Sequence, residues 1–223
     1  MSLRPIPFIA GEYYHLYNRG NSKQKIFHNQ NDYKRFIILL YTCNSENNFR
    51  MSLVKDRADK DPYLWERGKQ IVAIGAYCLM PNHFHILITE KQEGGISKFM
   101  QKLTTAYVMY YNGISERTGS LFEGKFKSEH LDTDQYLKYI FSYIHLNPIK
   151  LIQKDWKEVG IKNKKSALEY LNDYEYSSYQ DFSGLQRKAS LILERKAFPN
   201  YFPSTKNFER EILDWLEYRD RFD

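Results

Sequence analysis

Residues 70–90 read QIVAIGAYCLMPNHFHILITE. The stretch 70–79 is almost continuously apolar, Met80-Pro81-Asn82 interrupts it, and the chain resumes at 83–90 as HFHILITE. Proline cannot donate to a strand ladder and asparagine suits a turn, so the spacing predicts two strands joined as a hairpin. Upstream, EYYHLYNR (12–19) alternates aromatic and polar residues as a half-buried strand does, and Gly20 closes it. Asn31-Asp32 stands where it would cap a helix carrying Tyr33, Phe36, Ile37, Leu40 and Tyr41 at helical spacing. The polar stretch 44–69 has no periodicity and reads as a loop or excursion.

Downstream of the hairpin, Phe99, Leu103, Ala106, Tyr107 and Tyr110 share one side of a helix expected from Ile96 to about Tyr111. SLFEGKFKSEHL (120–131) reads as extended structure interrupted by Gly124, and a further helix is expected from Asp132 or Thr133 to Asn147, where Pro148 stops it. The order β-α-β-β-α-β-α implies an α+β fold, an antiparallel-rich sheet with helices packed on one face. A boundary near Lys150 separates a core, 1–150, from an extension, 151–223. The extension opens with scattered lysines from Lys150 to Lys165. It has a helical patch at 167–171 and a terminal helix at 208–218, with Ile212, Trp215 and Leu216 at helical spacing.

Composition narrows the partners. The 223 residues carry a net charge of +6, and 19 of them are tyrosine. Cations that neutralise phosphate and rings that stack on bases suit single-stranded nucleic acid, although a basic protein with a tyrosine-rich core has the same composition. No apolar run is long enough to span a bilayer. The start of the chain lacks the pattern of a secretory signal. Cys43 and Cys78 lie in apolar segments and read as reduced core residues of a cytoplasmic protein.

Two clusters carry chemistry. In His83-Phe84-His85 the two imidazoles fall on one face of a strand and Phe84 on the other, so the pair is able to hold a divalent ion. Taken alone, His-x-His is equally a pair of hydrogen-bonded histidines. In Tyr143-Ile144-His145-Leu146-Asn147, the phenol and the carboxamide are one helical turn apart on the stripe Tyr136, Ile140, Tyr143, Asn147, and His145 points away. Alone, that stripe reads as core more readily than as catalysis. Together the clusters suggest an ion held by His83, His85 and the Asn147 oxygen, with Tyr143 placed to attack a phosphate. Mg²⁺ or Mn²⁺ is the expected ion for phosphate chemistry. Tyr107, Tyr110 and Tyr111 are rival nucleophiles that read as core, and His15 and His130 are candidates to approach the ion.

The motifs LMPNHFHILI, LFEGKFKS and YIHLNP, in this order, resemble the REP-associated tyrosine transposases, a branch of the single-tyrosine HUH nucleases related to IS200-like transposases. YHLYNRGN near the start and DYEYSSY (173–179) are similar to further segments of that family, so the resemblance runs from about Tyr13 to about Tyr179. It implies a ferredoxin-like core, commonly a homodimer, that cuts single-stranded DNA beside a hairpin through a 5′-phosphotyrosine link. By motif position, His83 and His85 match the metal histidines, Tyr143 the nucleophile and Asn147 the amide ligand, where many relatives carry Gln. Asn18, Arg19, Lys125 and Lys127 fall at positions suited to DNA contact; as surface cations the three basic ones equally read as solvated charge. Two other readings stand beside this one: a domesticated hairpin-binding protein without cleavage, and a metal phosphoesterase that uses water.

Overall fold

The computed structural model describes residues 7–47 and 61–217. Most of the charged excursion expected at 44–69, namely 48–60, lies outside the described residues. The core elements follow the expected order: β1 (Tyr13–Arg19), α1 (Gln30–Thr42), β2 (Val72–Met80), β3 (His83–Glu90), α2 (Gly95–Ile114), β4 (Lys127–His130) and α3 (Asp134–Leu146). The N-cap of α1 is Asn29, not Asn31-Asp32. Its side chain accepts from the Asn31 and Asp32 amides, while the Asp32 carboxylate accepts from the Asn29 amide. That reciprocal pair satisfies amides that a helix start otherwise leaves orphaned. Thr133 caps α3 through the Tyr136 amide.

The four strands form one antiparallel sheet in the order β2-β3-β1-β4. With the β-α-β-β-α-β connectivity, this is the ferredoxin-like arrangement. Alternation along each strand gives the sheet two apolar faces. Leu16, Tyr77, Leu79, Phe84, Ile86 and Ile88 belong to one buried cluster with residues of α1 and α2. Ala73, Ala76, Cys78, Met80 and Leu87 belong to a second, with α3 and the C-terminal segments.

The expectation of helices on one face therefore holds for α1 and α2 and is corrected for α3, which covers the opposite face. The physical reason is visible in β2, buried along its whole length. A strand apolar on both faces needs a layer on each side, and α1 and α2 supply only one. A register shift between Ile74 and Ala76 marks a bulge at Gly75. There the Phe198 ring packs so close that a Cβ on residue 75 would stand 2.9 Å from its atoms.

After a 3-10 turn at Asn147–Leu151 come α4 (Trp156–Val159), α5 (Lys164–Asp173), α6 (Tyr179–Phe182) and α7 (Thr205–Glu217). Their buried side chains, Trp156, Leu171, Tyr179, Phe182, Phe208 and Ile212, share the cluster of α3. Residues 176–178 run beside β2: the Leu79 amide donates to the Tyr176 carbonyl and the Ser178 amide to the Tyr77 carbonyl, each at 2.9 Å. The edge of β2 is thus covered, which removes a pairing hazard. Arg187 locks this segment. It bonds Asp181 and the Glu175 and Ser177 carbonyls, and it donates to the Tyr77 hydroxyl. The Asp181 side chain is fully buried. Among the described residues no helix is long and apolar enough to cross a membrane.

Removing one partner of a buried pair strands the other charge. Arg187→Met is expected to lower unfolding free energy by about 3–5 kcal/mol in urea titrations, and Asp181→Leu in the same chain to restore part of it. A loss within about 0.5 kcal/mol for the single variant, typical of a surface change, would refute the lock.

Candidate active site on the α3 face of the sheet

The sheet register decides which side chains meet α3. His85 lies opposite Tyr17, Tyr17 opposite Lys127, His15 opposite Glu129, and Arg19 opposite His83. Directly opposed residues share a face, so His83, His85, His15, Tyr17, Arg19, Lys127 and Glu129 all project toward the α3 side. Phe84 points into the α1–α2 core.

The two motif clusters meet there. The Tyr143 ring stands edge-on to His85, with centroids 5.5 Å apart, and edge-on to His15 at 6.0 Å. The His83 and His85 rings are perpendicular at 4.9 Å. Tyr143 stacks on Tyr139, and the Lys157 ammonium lies 4.2 Å from the centre of its ring. Asn147, buried where α3 gives way to the 3-10 turn, donates from Nδ2 to the Tyr143 carbonyl at 2.9 Å.

Among the described residues seven buried side-chain atoms have no hydrogen-bond partner, and His85 Nε2 and Asn147 Oδ1 are two of them. Buried polar groups are nearly always satisfied, so each such atom calls for a reason. His83 has its own constraint: its Nδ1 lies 2.7 Å from Asn82 Oδ1, while the Asn82 amide nitrogen donates to the Lys23 carbonyl. The imidazole therefore donates from Nδ1 and keeps a lone pair on Nε2. No group of three His, Cys, Asp or Glu side chains among the described residues is disposed to hold an ion. An ion held here would need the amide oxygen beside the imidazoles, and the unsatisfied atoms fit that donor set.

Burial keeps the imidazoles neutral. It lowers His83 to about 4, with Lys150 and Arg19 adding to the effect, and takes His85 well below the usual range, with His15 next in importance. Burial also raises the Tyr143 phenol. The Asn147 amide opposes that rise and the Glu129 charge adds to it. Glu129 is drawn down to about 2, chiefly by its hydrogen bond with His15 and further by those from Tyr17 and Tyr136, against the opposing effect of burial.

The other expected residues scatter more widely. Arg19 pairs with Glu123 through two hydrogen bonds of 3.1 and 3.0 Å. With Tyr17, Asn18, Asn82, His83, Lys127 and Lys150, that pair lines a cleft of about 310 Å³. The Asn18 side chain is buried and already engaged, donating to the Gly124 carbonyl and accepting from the Arg19 amide. Lys125 lines a separate groove between α2 and residues 120–126. His130 pairs with Glu12 and packs on Tyr14, away from the histidine pair. The rival tyrosines are committed elsewhere: Tyr107 donates to the Ile26 carbonyl, Tyr110 to Asp32, and Tyr111 bonds His28. Sequence reasoning missed Tyr17, Glu129, Lys150 and Lys157. The alternation in YHLYNR held a signal for Tyr17 and the lysine stretch 150–165 one for Lys150 and Lys157; nothing local marked Glu129.

The four-stranded ferredoxin-like sheet sets the paired histidines beneath the helix that carries Tyr143. Residues 64–147, which hold both histidines and the tyrosine helix, match the family model described as "Transposase IS200 like". Among solved structures, the chain is similar to a REP-associated tyrosine transposase described as bound to a REP hairpin. Identity is 16%, coverage is 85% of this chain and 90% of that one, and the TM-score is 0.46. It is also similar to a tRNA(His) guanylyltransferase from Saccharomyces cerevisiae, at 11% identity, 88% and 82% coverage and a TM-score of 0.36. A comparison with curated proteins gives no match.

The lowered imidazoles fix a pH dependence. A histidine whose folded pKa lies below its unfolded value contributes stability that is present above about 6.5 and lost as pH falls toward the folded value. For His83 that window runs from about 6.5 to about 4. Urea midpoints are expected to fall across it, and less steeply in His83→Gln; equal slopes would disprove the burial of the neutral ring.

Proposed function

We propose that this chain is a divalent-metal-dependent endonuclease and strand transferase acting on single-stranded DNA beside a hairpin. The observation that carries the reading is that His85 Nε2 and Asn147 Oδ1 are both buried and unsatisfied, on two residues that each contact Tyr143. In this reading His83 Nε2, His85 Nε2 and Asn147 Oδ1 hold Mg²⁺ or Mn²⁺. Such an ion, when bound, acts as a Lewis acid on a phosphoryl oxygen.

The protein's own groups do the rest. The Tyr143 oxygen gives up its proton as it bonds to the phosphorus, the bond to the 3′-oxygen breaks, and that oxygen takes up a proton and leaves as a 3′-hydroxyl, so one proton is released and one taken up. The 5′-phosphate stays on the tyrosine, and the reverse step with another 3′-hydroxyl joins strands. The phenol is protonated at rest because burial disfavours its anion. The Lys157 ammonium and the Asn147 amide favour negative charge on it as the bond forms. Lys127, Lys150 and Arg19, in the cleft beside His83, receive the phosphates on either side of the scissile one. Hairpin preference and a homodimeric assembly are supported by the motif resemblance.

Incubation of the protein with a labelled hairpin-flanked oligonucleotide and Mn²⁺ is expected to give a slow-migrating covalent band on a denaturing gel. The band should vanish with EDTA and in Tyr143→Phe. Cleavage without an adduct would favour a water nucleophile, and salt-sensitive binding without cleavage would favour a domesticated binding protein. Replacing Lys127 or Lys150 by Ala should weaken binding evenly across sequences and reduce the log–log salt slope by about 0.7 for each phosphate no longer neutralised.

A further inference from the structure

Behind His85, a file of side chains crosses the sheet. His15 Nε2 lies 2.9 Å from His85 Nδ1, both rings are buried, and they stack at 5.0 Å. The other nitrogen of His15, Nδ1, lies 3.4 Å from Glu129 Oε2. Glu129 also accepts from the Tyr17 hydroxyl at 2.9 Å and the Tyr136 hydroxyl at 3.0 Å. Strand register sets the file, since His15 pairs with Glu129 across β1 and β4.

The proton direction along the file follows from its ends. Suppose His15 donated from Nε2 to His85. Its Nδ1 lone pair would then face a carboxylate, and His85 would carry its proton on Nε2, a buried donor without an acceptor. In the opposite sense, His15 Nδ1–H donates to Glu129 and His85 Nδ1–H donates to His15 Nε2. Both donors and the carboxylate are then satisfied, and only a lone pair remains on His85 Nε2.

Resting on the cation site proposed above, we propose that Glu129 and His15 are positioning residues that hold His85 in the Nδ1–H tautomer, so that its Nε2 lone pair is available to the ion. His83 reaches the same tautomer by a shorter route, through Asn82. Metal-binding histidines characteristically donate their second N–H to a carboxylate or carbonyl; here the carboxylate acts through an intervening imidazole. Through Tyr136, which lies on α3 with Tyr143, the same carboxylate also ties the tyrosine helix to the ligand it orients.

The test uses Mn²⁺ binding to the DNA-free full chain by calorimetry, together with ¹⁵N NMR of the histidine rings. His85→Ala should abolish binding. His15→Phe, which keeps a ring but removes both nitrogens, should weaken it about 10–100-fold. The metal-free wild type should show His85 protonated at Nδ1. Loss of binding in His85→Ala with a change under about twofold in His15→Phe overturns the file and leaves the site standing. Unaltered binding in His85→Ala overturns the site itself. Should His15→Phe not fold, the wild-type NMR decides alone, since an Nε2–H tautomer at His85 overturns the proposal.

Discussion

Everything at the candidate site depends on one packing decision, the seating of α3 on the face of the sheet that α1 and α2 leave bare. The crossover helices bury Phe84, Ile86 and Ile88. The opposite side of the same strands carries His83, His85 and Leu87 and would face water without a second layer. The apolar side of α3, with Leu137, Ile140, Phe141 and Ile144, supplies that layer beside β2 and β3. Burial of the imidazoles, the raised phenol and the unsatisfied amide oxygen all follow from that contact. Hydrophobic packing brings the polar groups together, and the polar groups contribute geometry in return.

The C-terminal segments matter for the same reason. His145, buried on α3, bonds the Ser178 hydroxyl, and Ser178 in turn exchanges hydrogen bonds with Tyr77 of β2. The segment 176–178 therefore closes the edge of the sheet and braces the tyrosine helix at once. Phe208 and Ile212 of α7 complete that layer. Within DYEYSSY, the Ser178 and Tyr174 hydroxyls and a backbone strip serve β2, Ser177 accepts from the Tyr179 amide, and Tyr179 packs beneath α3. The turn after α3 also brings Lys150 to the cleft beside His83, and α4 brings Lys157 over the Tyr143 ring.

Charge around the site is arranged with a division of labour. Cations gather at the open end, where Arg19, Lys127 and Lys150 line the cleft. Glu129, the carboxylate beside His15, is occupied by two phenols and an imidazole. A carboxylate so engaged does not repel an incoming phosphate as a free one would, because its charge is spread into the donors around it. Arg19 is partly neutralised by Glu123, so its availability to a nucleic acid depends on exchanging one anion for another.

The sequence by itself determined the strands and helices, because period-2 and period-3.6 patterns are local and hydrophobic burial acts on them directly. It also put two imidazoles on one strand face and a phenol and a carboxamide one turn apart, since those relations depend only on backbone geometry. The cap of α1 falls two residues before Asn31 because Asn29 and Asp32 form a reciprocal capping box, each side chain accepting from the other's amide. The tertiary structure alone decided which face α3 would cover and that β1 would set His15 against His85. It also decided the register of β4 against β1, which brings Glu129 into line with His15. Register between strands distant in sequence arises from the packing of both faces at once, and no stretch of sequence contains that information singly.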